Sequence, residues 1–285
     1  MPPRLILNAD DFGLTLGINR AIAELHAAGC LTSTTLMATG PAFRDAVEIA
    51  QAYPHLGVGC HIVLTDGTPV LPAKEVPTLC PNGRTFRPQL VDFLRDLLLG
   101  RIDAAEIERE SLAQIVALQR SGIAVTHVDT HKHTHIFTRV ARPLLSAAVR
   151  SGVWAVRDPF EPAWSIALSA SPVKRRLSVR LTHLLKRRWL KLEALREGIV
   201  RTTDGTVGVS ATGNLNADVL RRILDAAPEG TWEIVCHPGY NDHDLDQITT
   251  RLRETRAIEL SALRSEVPRI FMRPNAPTII HYREL

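Results

Sequence analysis

The feature that most constrains this chain is the alternation of short apolar runs with segments of helical period. Arg4–Ala9, Cys30–Ala38, Gly57–Leu64, the stretch entered through Gly122, Val153–Arg157, Thr206–Thr212 and Trp232–Cys236 read as seven strands. Residues 17–28, 41–53, 90–99, 104–121, 138–151, 214–227 and 244–267 repeat apolar positions every three or four residues, as helices do. Strand–helix alternation of this kind predicts parallel strands joined by crossover helices. Seven or so units in 285 residues suggest an α/β fold, a distorted (β/α) TIM-like barrel in a single domain spanning 1–285. Arg269–Arg273 is expected to close the sheet, and Thr278–Tyr282 is a further short apolar run. Residues 65–88, rich in Pro and Gly, read as a long excursion over the top, and such loops are usually functional or mobile.

In a barrel of this type the chemistry gathers at the carboxyl ends of the strands. Four such ends carry candidates here: Asp10-Asp11, His61, the stretch His127–His135, and His237. The histidine stretch is the densest. Four of the eleven histidines fall in its nine residues, with Asp129 among them. Neutral imidazole is the commonest metal ligand. Residues two apart in a strand share a side, so His127, Asp129, His131, His133 and His135 have one parity. If only the first half is strand, the remainder forms the rim of a pocket. The bland alternative is a surface histidine tract or a set of hydrogen-bonded core histidines, each of which needs partners.

Composition narrows the class. Hydrophobic content of 45% and charged content of 22% suit a globular protein with its own core. The four cysteines form no C-x-x-C pair and read as reduced thiols of a cytoplasmic protein. No run reaches the roughly 18 apolar residues of a membrane span, so no stable membrane insertion is expected. The net charge of +4 is concentrated in one place. Residues 173–197 hold nine Lys/Arg and two Asp/Glu, a net of +7, which leaves about −3 for the rest. This argues against a nucleic-acid binder and for a basic helical insertion. Its cations are expected to form a solvated face or a subunit contact, with a membrane-surface or anionic-ligand role as the alternative, and its leucines allow a homodimer.

Adjacent carboxylates at a strand end repel each other unless a positive charge sits between them, and a divalent cation is the usual solution. Capping of the next helix by Thr15 or Asp11 would explain one acid but not both. Carboxylate and imidazole without thiolate would leave coordination positions open for water or substrate. A bound water acidifies toward neutral pH and a carbonyl is polarised. A second carboxylate can take the water's proton and an imidazolium can protonate a leaving amine. These parts describe metal-assisted amide hydrolysis. The alternatives are a lactam or phosphoester hydrolase on the same metal-binding barrel, or a non-catalytic sugar-binding relative. The ligand set suits one divalent ion, zinc or another transition metal, with magnesium as the alternative although imidazole is not its preferred ligand.

Asn8-Ala9-Asp10-Asp11-Phe12-Gly13, Thr32–Thr35, Gly59–Leu64, Thr126–His135 and Cys236–Gly239, in this order, resemble the YdjC-like carbohydrate deacetylases. The resemblance runs from residue 4 to about 240. It implies a distorted barrel that removes acetyl groups from N-acetylated sugars with a divalent metal. By motif, Asp11, His61 and His131 would be the metal ligands, Asp10 the general base and His237 the general acid. His127, Asp129, His133 and His135 would orient the ligands or touch substrate. Phe12, Arg157, Trp164 and Tyr240 are candidate sugar contacts. Lys132 stands where many members carry a histidine, so local contacts or specificity are expected to differ there.

Overall fold

The computed structural model describes residues 2–285. Strand β1 (Arg4–Phe12) is the centre of the sheet, and Leu5, Ile6 and Leu7 are wholly buried. Burying one such side chain stabilises by about 1.5–3 kcal/mol. After it come α1 (Leu16–Ala27), β2 (Ser33–Leu36), α2 (Phe43–Ala52) and β3 (Gly57–Ile62). Helices α3 (Leu90–Leu98) and α4 (Ala104–Arg120) precede β4 (Val128–Thr130), which leads into α5 (Thr138–Arg150). Then follow α6 (Ala163–Leu168), α7 (Val173–Trp189), α8 (Glu193–Arg196), β5 (Gly205–Val207), α9 (Ala217–Ala226) and β6 (Thr231–Cys236). The chain finishes through α10 (His243–Asp246), α11 (Glu254–Ile270) and β7 (Thr278–Ile280).

All strand pairings are parallel, in the order β4-β3-β2-β1-β6-β5, with β7 beside the first half of β1. The edges curl toward each other. The Arg157 N–H donates to the Val128 carbonyl (3.1 Å) and the Val156 N–H to the Arg201 carbonyl (2.9 Å). Residues 154–157 thus link β4 to the chain that runs into β5, giving a distorted (β/α) barrel. They make isolated bridges rather than the full strand expected over Val153–Arg157. Among the described residues, no helix is long and apolar enough to cross a membrane.

Two further expectations are corrected. Residues 244–267 are not one helix: α10 and α11 are separated by a turn in which the Leu252 N–H bonds the Thr250 hydroxyl (3.1 Å). A side chain that offers the backbone such an alternative competes with the helix. Arg269–Arg273 does not close the sheet. It ends α11, and Phe271 and Met272 are exposed; β7 pairs with β1 instead. The excursion over 65–88 is tied to the helices beneath it. Buried Glu110 accepts from the Val70 and Leu71 N–H groups (2.8 and 3.1 Å), and Arg87 bonds Asp96 (2.8 Å).

Candidate metal and catalytic centre

In a regular strand Asp10 and Asp11 would face opposite ways. The register of β1 against β2 shifts between Ala9 and Phe12, and Asp11 has φ of 67°. This bulge with a left-handed residue re-aims the side chain, and both carboxylates reach one cleft. Thr15 caps α1, its hydroxyl accepting from the Ile18 N–H (3.2 Å). Asp11 is therefore not needed as a cap.

Three donor atoms form a small triangle. His61 Nε2 lies 3.7 Å from Asp11 Oδ1, His131 Nδ1 lies 3.5 Å from the same oxygen, and the two nitrogens are 3.3 Å apart. Bonds of about 2.1 Å at a tetrahedral centre would separate ligand atoms by roughly 3.4 Å, so the triangle has the size a divalent cation requires. His131 is its most open member, with a side chain 19% exposed. Strand register sets His61 directly across from Asp129. The His61 Nδ1–H donates to Asp129 Oδ1 (2.8 Å), which aims Nε2 at the triangle. Burial alone would lower the His61 pKa, but the carboxylates of Asp129, Asp10 and Asp11 outweigh it and raise it to about 9.

Asp10 is held from behind. Arg157, wholly buried, donates to both its oxygens (2.6 and 2.9 Å), to Glu233 (2.6 and 2.9 Å) and to Asp129. Burial opposes the Asp10 charge, but the guanidinium holds its carboxyl well below the usual carboxylate range. Asp11 is kept ionised likewise, against burial, by Arg256 (2.6 Å to Oδ2) and then His131. Thr35, on β2, reaches Asp10 and His61 with one hydroxyl (3.3 and 3.2 Å).

His237 follows β6, and its Nε2 faces Asp10 Oδ2 at 3.8 Å. Its backbone N–H donates to Glu259 (2.6 Å). Burial lowers its pKa to about 4 despite Asp10 and Asp11, so the ring is neutral at pH 7.

The histidine stretch keeps its strand alternation only through Thr130. Residues His131–Ile136 form a tight turn in which Lys132 and His133 have φ of 58° and 51°. The structure therefore sorts the five same-parity residues. Asp129 and His131 join the cleft. His127 does not: its ring stacks on Tyr282 (3.7 Å) in the barrel floor, where a Cβ on Gly59 would lie 2.4 Å from it. His135 is buried, bonding the Thr130 hydroxyl (2.7 Å) and the Arg157 carbonyl (3.2 Å), and it locks the turn. His133 is half-buried with its Nδ1 unpartnered. Lys132 reaches Asp66 (2.7 Å), tying the turn to the excursion.

The candidate sugar contacts lie elsewhere. Phe12 is wholly buried in the core, and Arg157 is the internal clamp. Trp164 packs edge-on against Trp232 (5.5 Å), level with Leu5 at the amino end of the barrel. Tyr240 donates to Glu24 (2.5 Å) under the Arg20 guanidinium, on the outside of α1. Glu233, Arg256 and Glu259 escaped the sequence reading. A charged residue inside the apolar run Trp232–Cys236 was a usable signal for Glu233. Arg256 and Glu259 look like any other charges on a helix.

A parallel barrel with a buried Asp/His cluster at its strand ends defines the class: a (β/α)-barrel protein with a candidate metal centre. The family described as YdjC-like protein matches residues 4–273, and the chain belongs to that family. It is 32% identical over 265 residues to a carbohydrate deacetylase of Brevibacillus brevis, covering 90% of this chain and 92% of that one. A carbohydrate deacetylase of Thermoanaerobacter pseudethanolicus is 29% identical over 278 residues, 98% and 97% of the two chains. A crystal structure from Enterococcus faecalis, provisionally described as a cellobiose-phosphate cleavage protein, superimposes with a TM-score of 0.77. It is 25% identical and covers 100% of this chain and 99% of its own.

Proposed function

We propose that this protein is a metal-dependent hydrolase that removes the acetyl group from an N-acetylated amino sugar. The observation that carries the reading is the Asp11–His61–His131 triangle, with edges of 3.3–3.7 Å, facing Asp10 and His237. Relatives named carbohydrate deacetylases over nearly the whole chain support the substrate class. Asp11, His61 and His131 would hold one divalent cation. When bound, such a cation polarises the acetyl carbonyl and acidifies water.

The chain's own groups handle the protons. Arg157 grips both oxygens of Asp10, which keeps the carboxylate ionised but lowers its basicity, so Asp10 would take the proton of cation-acidified water only in passing, on its way to the leaving group. Its clamped geometry fixes where that proton is received. His237, neutral at rest and 3.8 Å from Asp10, is placed to collect a proton and deliver it to the leaving nitrogen. Water oxygen bonds to the acyl carbon, the C–N bond breaks, and acetate and the free amine leave.

The test is acetate release from N-acetylglucosamine, its β-1,4-linked disaccharide and a lipid glycoside of it, each with metal restored and with chelator. Chelator-sensitive release is expected. Asp10→Asn should bind the cation but lose turnover, and full activity in that variant would remove Asp10 from the role of base. Metal binding without release from any acetylated sugar would redirect the search to other amides and to phosphoesters.

A further inference from the structure

The outward face of α7 joins apolar and cationic side chains without an acid. Val173, Leu177, Leu181 and Leu184 are 75, 55, 55 and 77% exposed. Their spacing of four, four and three residues makes one stripe along the helix. Exposed Lys174 borders it on one side and Arg180 and Arg187 on the other. The helix carries seven Lys/Arg and no Asp or Glu.

The inner face of α7 is firmly mounted. Val179 and Trp189 are buried, the Trp189 indole donates to the His135 carbonyl (2.9 Å), and Lys186 pairs with Asp158 (2.8 Å). The stripe therefore cannot turn inward to hide its leucines. Arg175 donates to the carbonyls of Val209 and Ser210 (2.7 and 3.2 Å), just past the carboxyl end of β5. The helix thus begins at the end of the barrel that holds the Asp/His cleft.

We propose that this face docks the protein on an anionic lipid surface. The leucines enter the boundary between headgroups and acyl chains, and the flanking cations pair with lipid phosphates. Long Lys and Arg stems can lie along an apolar layer while their charges stay in water, so both residue types can act on one face. A second copy of this helix is a poor occupant, because it would set the exposed Lys174, Arg180, Arg187 and Arg188 against the same four cations with no acid between them. A membrane supplies the two complements at once, fixed negative charge and an apolar layer beneath it.

The experiment is co-sedimentation of the full chain with phosphatidylcholine vesicles, with and without phosphatidylglycerol, at low and high salt. Binding is expected only with phosphatidylglycerol, and it should weaken as salt rises. The triple variant L177S/L181S/L184S should lose about tenfold in vesicle affinity, with its circular dichroism unchanged because the three positions are exposed. K174Q/R180Q/R187Q, which removes the cations that border the stripe, is the second arm and should lose at least as much; undiminished binding by it would overturn the pairing with lipid phosphates. No binding to phosphatidylglycerol vesicles at low salt overturns the proposal. So does undiminished binding by the serine variant, which would reduce the effect to general charge adsorption. A dimer in solution that the serine variant dissolves would assign the face to a second copy and overturn it equally.

Discussion

Two sets of cations divide this molecule. Arg157 and Arg256 are no more than 1% exposed and meet carboxylates at 2.6 Å; the cations of α7 lie mostly in water. A charge in the interior must be matched, because desolvation is paid for only by close partners. A charge on a surface is screened and is worth little to folding. The same residue type thus organises the cleft in one region and leaves the fold nearly indifferent in the other.

Removing the clamp should have the largest effect. Arg157→Leu strands Asp10, Asp129 and Glu233 without their shared counter-charge, and breaking a buried pair costs about 3–5 kcal/mol. A urea midpoint close to that of the parent protein would contradict the idea that the cluster depends on this arginine.

A smaller effect is expected at Asp158, a carboxyl 1% exposed beside Lys186. Burial, only partly offset by Lys186, pushes its pKa up to about 6 from 3.8. The folded state then holds this proton more tightly than the unfolded chain does. Its contribution to stability is greatest below about pH 4, falls by as much as roughly 3 kcal/mol as pH rises to about 6, and is level above that. The difference in unfolding free energy between the parent and Asp158→Asn should track that window; a pH-independent difference would refute the assignment.

Next comes the orientation of His61. Asp129→Asn keeps a hydrogen-bond acceptor but removes the charge behind the ring, and cation affinity should fall about 10–100-fold. Titration calorimetry with zinc would measure it, and an unchanged affinity would separate Asp129 from the candidate centre. At the bottom of the scale, Arg180→Gln on α7 should leave the thermal midpoint unchanged. A clear loss would mean that the exposed cations carry structural weight.

Much of the barrel was legible because strand ends and helices alternate in the chain, and the polar residues at those ends stand out against apolar runs. Asp10, Asp11, His61, His237 and the stretch 127–135 stand out that way, His131 is singled out within the stretch only by the motif resemblance, and the structure brings these five residues to one cleft. Asp129 could be listed but not understood, since its position opposite His61 depends on the register of two strands far apart in sequence. Arg157 was visible at a strand end, yet its reading as a sugar contact failed because burial is a property of the closed barrel. The parity argument broke at Lys132, where the backbone turns left-handed and alternation no longer says which way a side chain points. Arg256 and Glu259 are brought to the cleft by the packing of α11, which no local pattern announces.

The left-handed backbone at Asp11 also narrows the route by which this centre could change over generations. Gly adopts that conformation freely, and Asn and Asp do so more readily than most other residues; of these Asp alone brings a negative charge. Glutamate and cysteine, two other common donors, would strain the bulge more than Asp does. A shift toward softer or harder metals is therefore open to this scaffold mainly through residues 61 and 131, while position 11 is held by its own main chain.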